Sequence, residues 1–445
     1  MDVHPAPVPP PGCPAHNTGG RVPLYGPDFA ADPQAYYEYL RHFGPTAPVE
    51  LAPGVAATLV TDYTAALELL RDPAFRKDAR QWRDLHSGKV PEDSPVVPLL
   101  AYRPNCMFAD GAEHQRLRLA VTESMMRIDS RRLAQTTEQV SAYLIAEFSA
   151  RGSADLMADY ARQLPLFVFN ELFGCPAEIG DRVLFGIAGM FDGVNAAESA
   201  HLLHRAVGEL VALKRERPGD DVTSWLMEHE ADLTDEEMVH QLSLLLGAGA
   251  EPLRNLIGNT LHRILTHERG AYQDVRNAMN DTLWKNPPIA NFAAHYPADD
   301  RLYAGQRVTA GQLMMISFAA ANTGMVQSEG HHAANRASLA WSAGPHACPS
   351  QRPATGITVT AVDNLFGQIP DIELDVPAGL LTWRPGPFHR ALNALPVRFS
   401  AVQARERPTA LVPPQHAPVH AEHSAEHRRE GGAGKWSQFL AWLRK

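Results

Sequence analysis

The stretch AWSAGPHACPS at residues 340–350 decides how the rest of the chain is interpreted. It places Cys348 in a loop rich in glycine and proline, directly before a run at 353–370 whose residues can form a helix. Pro349 suits the first turn of a helix, where the N–H that proline lacks has no partner to lose. We therefore expect Cys348 at the N-cap of this helix, where the positive end of the helix dipole stabilises the thiolate.

The residues around Cys348 leave three uses of such a thiolate open: a nucleophile, an iron ligand, or an ordinary loop thiol. A zinc site is disfavoured, because there is no CxxC pair and His346 alone does not make a site. A cysteine hydrolase with His346 as the base is disfavoured as well. Two side chains at i and i+2 across a proline-rich turn do not readily face each other.

A second stretch, DGAEHQRLRLAV at 110–121, carries charged residues at helical spacing. His114 and Arg118 are four residues apart, so a helix would place both on one face. Two cationic donors on one face can bind two carboxylates. From these residues alone, a solvated basic face is the alternative interpretation.

The two stretches together resemble the cytochrome P450 family of haem-thiolate enzymes. The first is similar to the family's cysteine loop, F-G-x-G-x-H/R-x-C-x-G, with Ser342 and Ser350 in place of glycines. The second is similar to the family's D-x-x-E-H-x-R-L-R-x-x-V helix. Weaker matches to other parts of the family's sequence extend the resemblance over most of residues 25–404. The resemblance implies a single domain with a mainly α fold and small β-sheets, the α+β class of this family.

The resemblance also implies haem b, an iron protoporphyrin IX, as the cofactor, with the sulfur of Cys348 as the ligand of the iron. The other contacts to the haem would come from the same two stretches, with imidazole and guanidinium groups on its propionates. The residues implied are His114, Arg118, Trp341, Gly344 and His346.

The longest predicted helix runs from Asp235 to about His267, with Thr234 and Glu237 forming a capping box at its start. By the resemblance, it takes the place of the helix that crosses the distal face of the haem. That helix carries A-G-x-D/E-T-T in the family, where this chain has AGAEPL at 248–253. The positions implied as catalytic are Ala248, Gly249, Glu251 and Pro252.

Pro252 replaces the threonine that helps to deliver protons in the family. Proline has neither a hydroxyl nor an N–H, so we expect it to free the Ala248 carbonyl, to kink the helix and to weaken proton delivery. Glu251 with water, or a hydroxyl of the substrate, would then have to supply the protons.

A second departure lies just before Asn286. The family has E-x-x-R, a salt-bridge network, where this chain has Asp281-Thr-Leu-Trp284. Because tryptophan offers one indole donor and a large apolar surface, we expect Trp284 to pack in place of the ion pair, with Asp281 accepting from the indole or from Arg336. Together with Pro252, this pattern resembles an actinobacterial subgroup whose members are often encoded beside small GTPase-type and sensor-kinase genes.

The composition of the 445 residues excludes several classes of protein. A net charge of −10 argues against a nucleic-acid-binding protein, which normally shows a basic patch. Four cysteines in so long a chain point to a reducing compartment, and the first residues lack the apolar core of a secretory signal. No apolar run approaches the roughly 18 residues of a membrane span. We therefore expect a cytoplasmic protein, at most peripheral at a membrane.

Both ends of the chain differ in composition from its middle. Residues 1–24 are rich in proline and glycine and predict a disordered arm, and residues 405–434 predict a disordered linker. The last residues, KWSQFLAWLRK at 435–445, predict an amphipathic helix. This helix could lie on a membrane surface, dock on a protein partner or fold back on its own domain at 25–404.

The activity that the resemblance implies is that of a haem-thiolate oxidoreductase, either a monooxygenase or an oxidative-coupling enzyme. The expected substrate is a small organic molecule of natural-product type, oxidised with O2 and electrons from a ferredoxin-type partner that Arg116 and Arg352 could contact. The alternative is a catalytically degenerate haem-binding protein that acts through protein contacts in a signalling complex. The lost threonine and arginine favour this alternative.

Overall fold

A computed structural model of the chain describes residues 10, 20–192, 196–267, 272, 274–329, 335–402 and 434–443. Most of these residues are helical, and the strands are short and gathered into small sheets, which confirms the predicted fold class. None of the described helices is both long enough and apolar enough to span a membrane. Apart from residue 10, the part of the predicted arm before residue 20 lies outside the described residues, as does the predicted linker up to residue 433.

The helices of the described residues are labelled in chain order. They are α1 (Pro27–Ala31), α2 (Pro33–Arg41), α3 (Tyr63–Leu69), α4 (Arg83–His86), α5 (Val97–Leu100), α6 (Gly111–Met126), α7 (Ser130–Phe148), α8 (Gln163–Leu172), α9 (Ala177–Asp192), α10 (Ala196–Glu216), α11 (Val222–Met227), α12 (Asp235–Thr266), α13 (Val275–Lys285), α14 (Phe318–Glu329), α15 (Gln351–Gln368) and α16 (Lys435–Leu443).

The strands of the described residues form three sheets. They are β1 (Val22–Pro23), β2 (Thr46–Ala52), β3 (Val55–Val60), β4 (Phe75–Arg76), β5 (Ser153–Asp155), β6 (Asn291–Pro297), β7 (Arg301–Tyr303), β8 (Gln306–Val308), β9 (Met314–Ser317), β10 (Glu373–Leu374) and β11 (Pro396–Arg398). The largest sheet has the order β1-β2-β3-β9-β6-β4, and the smaller ones are β10-β11-β5 and β7-β8.

The first strand departs from the sequence expectation. β1, which we had placed in a disordered arm, pairs in parallel with β2 through Val22 and Val49. Val22 and Leu24 are both fully buried. The prediction of a disordered arm is therefore wrong for these residues. So short a run shows no periodicity, and only its pairing with β2 identifies the strand.

The long helix α12 passes through the middle of the helical part and packs against α8, α10, α13 and α15. Its predicted capping box is present, because Thr234 accepts from the N–H of Glu237 and the Glu237 carboxylate accepts from the N–H of Thr234. The helix runs without interruption for 32 residues, as predicted, and Pro252 does not end it. A kink at Pro252 stays a prediction.

Trp284, on α13, is 1% exposed, as expected of a residue that packs where the family has an ion pair. Its indole N–H donates to the carbonyl of Asn335, 2.8 Å away. The guanidinium beside Asp281 is that of Arg263 on α12, at 2.7 Å, and not that of Arg336 as we had suggested. Lys285, one turn further along α13, also pairs with Asp281 at 3.0 Å. The i,i+4 spacing could have indicated Lys285, whereas no local sequence pattern indicates Arg263.

The C-terminal helix α16 folds back on its own domain. Trp436 and Phe439 are each 1% exposed and pack against the ring of Phe167. Gly180 of α9 makes room for this contact, because a Cβ there would lie 2.4 Å from Cδ1 of Trp436. The backbone N–H of Trp436 donates to Asp181 at 2.8 Å. Of the three places that the sequence left open for this helix, the structure selects its own domain.

Candidate active site

Cys348 lies in the loop between α14 and α15. Its N–H donates to the carbonyl of Trp341 at 2.8 Å. α15 starts at Gln351 with Ser350 as its N-cap, and its first helical hydrogen bond runs from the N–H of Ala354 to the carbonyl of Ser350. The prediction that Cys348 is itself the N-cap is therefore wrong, because the helix begins two residues later than Pro349 had suggested.

Burial has the largest effect on the pKa of the Cys348 thiol. It raises the pKa of the thiol, and the N–H of Ser350 and the charge of Arg118 oppose this shift without overcoming it. Our expectation of a thiolate stabilised by the helix dipole is therefore not met. A cation bound at the sulfur would be needed to favour the thiolate here.

Gly344 and Ser342 determine the path of this loop. Gly344 has φ +69°, and a Cβ there would lie 2.2 Å from the carbonyl oxygen of Leu70, so only glycine fits. Ser342 adopts φ +61° at a position where the family pattern has glycine. Its ψ of −171° places it in a region used almost only by glycine, which costs another residue about 1–3 kcal/mol. Gly344 thus packs the loop against Leu70, and its contact with haem stays a prediction.

The imidazoles of His114 and His346 stack with their ring centres 3.9 Å apart, which joins the two stretches that the sequence singled out. Nε2 of His114 is buried and has no hydrogen-bond partner among the described residues. Burial lowers the pKa of both imidazoles, and the charges of Arg118 and Lys77 act in the same direction. Both rings are therefore neutral near pH 7, and a neutral imidazole can still donate one N–H to a carboxylate.

Arg118, one turn further along α6, binds the cysteine loop directly. Its Nη2 donates to the carbonyl of Ala347, the residue before Cys348. Arg118 therefore positions the backbone next to the sulfur. Its predicted contact with a haem propionate stays a prediction.

These residues fit an acidic iron porphyrin. The thiol of Cys348 is free, so its sulfur could hold the iron. The partnerless Nε2 of His114 is a buried polar atom that a propionate carboxylate would satisfy, with Arg118 and His346 beside it. Trp341, also predicted to contact haem, is half-buried and packs near Leu256 and Met279, among other residues.

Glu251, on α12, lies in a buried cluster of ions. Its carboxylate accepts from Arg254 at 3.2 Å and from Arg384 in the segment after α15. Burial acts to raise the pKa of Glu251, but the charges of Arg384 and Arg254 outweigh it and the pKa lies below its ordinary value. The carboxylate is therefore held ionised and is poorly suited to release a proton near neutral pH.

The other positions implied as catalytic line the same part of α12. A Cβ on Gly249 would lie 2.7 Å from Cε2 of Phe169, so the glycine lets α8 come close. Ala248 is exposed, and a Cβ on Gly247 would meet no atom within 4 Å. Pro252, one turn after Ala248, is half-buried. This part of α12 therefore offers an accessible surface to a small molecule.

Sequence reasoning missed two charged residues near the site, Arg384 and Lys77. Arg384 is 133 residues away from Glu251 in the chain. The Nζ of Lys77 donates to the carbonyl of Ala294, at 2.7 Å and a separation of 217 residues. Neither residue belongs to a local motif, so no sequence signal connects it to its partner.

No protein-family model matches the chain, but curated proteins do. The chain is 30% identical over 397 residues to the cytochrome P450 monooxygenase PikC of Streptomyces venezuelae, a match that covers 84% of this chain and 92% of PikC. It is 29% identical over 392 residues to the vitamin D(3) 25-hydroxylase of Pseudonocardia autotrophica, covering 84% of this chain and 95% of that enzyme.

Solved structures match along nearly their whole length. CYP154C4 from Streptomyces sp. W2061 superposes with a TM-score of 0.77 at 28% identity, covering 85% of this chain and 97% of that one. CYP154A1 from Streptomyces coelicolor A3(2) superposes with a TM-score of 0.74 at 27% identity, covering 84% of this chain and 99% of that one. The similarity therefore extends over the whole fold and is not confined to the two motifs.

Proposed function

The chain belongs to the cytochrome P450 family, and from this premise we propose that it uses haem b to oxidise a small organic substrate of natural-product type. An enzyme of the P450 type follows from the relatives. The substrate class, the haem b form and a ferredoxin-type electron donor are the parts that we add.

The observation that carries the proposal is the stack of His114 on His346 close to Cys348 in the chain. A free thiol, two neutral imidazoles and the guanidinium of Arg118 suit a ligand that carries both a metal ion and carboxylates. When bound, haem supplies the activation of O2, and thiolate ligation tunes its reactivity.

We assign proton delivery to water or to a hydroxyl of the substrate. Pro252 has no donor, and Glu251 is held ionised between Arg254 and Arg384. The accessible part of α12 at Ala248 is where a substrate hydroxyl could lie. Hydroxylation assisted by the substrate, or oxidative coupling, is the chemistry that this arrangement favours.

An acidic electron donor of the ferredoxin type would meet a basic surface near the cysteine loop. Arg352, at the start of α15, is exposed and supports this contact. Arg116, which we had also suggested, is paired with Glu113 and Glu237. We therefore assign only Arg352 to the docking surface.

The test is the spectrum of the ferrous carbon monoxide complex after reconstitution with hemin. We expect the wild-type protein to show the Soret band typical of thiolate ligation and Cys348→Ser to lose it. Cys175→Ser, which alters a buried cysteine in another part of the fold, is the matched control and should keep the band. A wild-type protein that binds no hemin, or an unchanged spectrum in Cys348→Ser, would refute the proposal.

A catalytically degenerate haem protein is the second candidate, and the paired state of Glu251 together with Pro252 favours it. Turnover with a surrogate ferredoxin and its reductase separates the two functions. Product formation with candidate hydroxylated substrates supports the enzyme. Haem loading without turnover, combined with recovery of a signalling partner, supports the degenerate protein.

A further inference from the structure

Lys77, directly after β4, is a buried lysine with an incomplete set of partners. It is 7% exposed, and its ammonium donates one hydrogen bond, at 2.7 Å, to the carbonyl of Ala294. Within the described residues it forms no ion pair. Burial lowers the pKa of Lys77 to about 8. A buried ammonium with three donors and one acceptor is unfavourable unless another acceptor completes its surroundings.

Two contacts place Lys77 beside the candidate site. Its backbone N–H donates to both carboxylate oxygens of Asp110, each at 3.0 Å. Asp110 is the N-cap of α6, and its carbonyl accepts the N–H of His114 at 3.3 Å. The charge of Lys77 also contributes to the lowered pKa of both His114 and His346, as a nearby cation does.

Around the ammonium of Lys77, positively charged side chains outnumber negatively charged ones. Among the described residues, Asp110 is the carboxylate whose negative charge acts on the ammonium of Lys77. Its oxygens already accept the backbone N–H groups of Lys77 and Asp78. Arg118 adds a second cation, and His114 adds an imidazole whose Nε2 has no partner among the described residues. A ligand that brings carboxylates would offset the surplus of positive charge.

We propose that the ammonium of Lys77 binds a propionate carboxylate of the porphyrin, in the same group of basic residues as His114. The inference rests on the proposed haem function and adds a binding residue that neither the cysteine loop nor the α6 motif contains. Lys77 thereby connects β4 and, through Ala294, β6 to the cofactor.

The experiment compares the affinity of the apoprotein for hemin with its affinity for hemin dimethyl ester, which lacks the two negative charges. We expect the wild-type protein to prefer hemin and Lys77→Gln to lose about 10- to 100-fold of this preference, the strength of a hydrogen bond to a charged group. Lys77→Arg, which keeps the charge, should retain it. Lys89→Gln is the matched control, because the Lys89 side chain is 69% exposed.

Three results would overturn the inference or its basis. An equal loss of affinity for both ligands in Lys77→Gln would mean that Lys77 only supports the fold, and no change would mean that it does not contact the carboxylate. A wild-type protein that binds neither ligand would refute the haem function itself.

If Lys77→Gln does not fold, the same preference is measured in the wild-type and Lys77→Arg proteins at pH 7 and about 9.5. The ammonium of Lys77, whose pKa is about 8, loses its charge in this range, whereas a guanidinium keeps it. We expect the preference for hemin to fall with pH only in the wild-type protein. Equal behaviour of the two proteins would contradict the proposal.

Discussion

The cysteine-loop side of the candidate site and the α12 side differ in how their buried charged groups are paired. On the cysteine-loop side, Nε2 of His114 has no partner among the described residues, and the ammonium of Lys77 has one acceptor. On the α12 side, Glu251 accepts from two arginines, and the three side chains are between 8% and 18% exposed. Nε of Arg254 and Nε2 of His389 have no partner among the described residues, but the charges of this side are paired with each other. The first side needs an acidic ligand to complete its hydrogen bonds, whereas in the second the carboxylate is satisfied by the protein itself.

This difference indicates that the cysteine-loop side binds a ligand and that the ion cluster on the α12 side is structural. Burying a charge without a counter-charge costs several kcal/mol, which a fold tolerates where a ligand supplies the opposite charge. A carboxylate held by two guanidiniums stabilises the arrangement but is removed from proton transfer. We conclude that the cysteine-loop side is built for a ligand, and that Glu251 serves mainly to hold Arg384 against α12.

The largest effect should come from breaking the ion cluster on the α12 side. Glu251→Gln leaves Arg254 and Arg384 buried without a counter-charge, so we expect the free energy of unfolding to fall by about 3–5 kcal/mol in urea denaturation. The control is Glu113→Gln, because the Glu113 side chain is 55% exposed. The control should cost at most about 1 kcal/mol. Equal losses in the two variants would contradict a buried cluster.

The second effect is a loss of stability in mild acid. Burial lowers the pKa of His262 and of His389, both on the α12 side, to about 4. Below pH 6.5 the unfolded chain binds protons that the folded chain does not. Between pH 6 and pH 5 the free energy of unfolding should therefore fall by at most about 1.4 kcal/mol per imidazole.

Denaturation of the haem-free protein at several pH values tests this dependence. His389→Gln should have a flatter pH profile than the wild-type protein, whereas the exposed His42→Gln should match it. A profile of His389→Gln parallel to that of the wild type would show that His389 titrates normally in the folded protein.

A smaller effect of opposite sign is expected on the cysteine-loop side. His114→Phe removes a polar atom without a partner while keeping an aromatic ring against His346. We expect the stability of the haem-free protein to stay the same or to rise by up to about 1 kcal/mol, while hemin affinity falls about 10-fold or more. Loss of both stability and affinity would indicate that His114 is structural.

The smallest effect is expected at Pro252. Pro252→Thr restores the hydroxyl of the family, but Glu251 stays paired with Arg384. We therefore expect only about a twofold gain in the product formed per electron pair. This gain is far below the contribution of full acid catalysis. Adding Arg384→Met should increase the gain. A large gain from Pro252→Thr alone would mean that Glu251 does not limit proton delivery.

The fold and the cysteine-loop side were largely predictable from the sequence, because the signals for them are local. The capping box of α12 joins residues three apart, and the cysteine loop is a single run of residues. The N-cap of α15 was predicted wrongly, since Pro349 marks the neighbourhood of a helix start but not the residue at which the hydrogen bonds begin. The pKa of Cys348 was also missed, because burial is not visible in a loop sequence.

The sequence by itself determined the class of fold, the long helix α12 and the joint presence of Cys348, His114 and His346, since each depends on neighbouring residues and their spacing. Only the tertiary structure decided that Arg384 neutralises Glu251, that Lys77 lies against Asp110 at the start of α6, and that α16 docks against α9. These pairs are brought together by packing between distant elements. Their energies depend on burial and distance, which exist only in the folded chain.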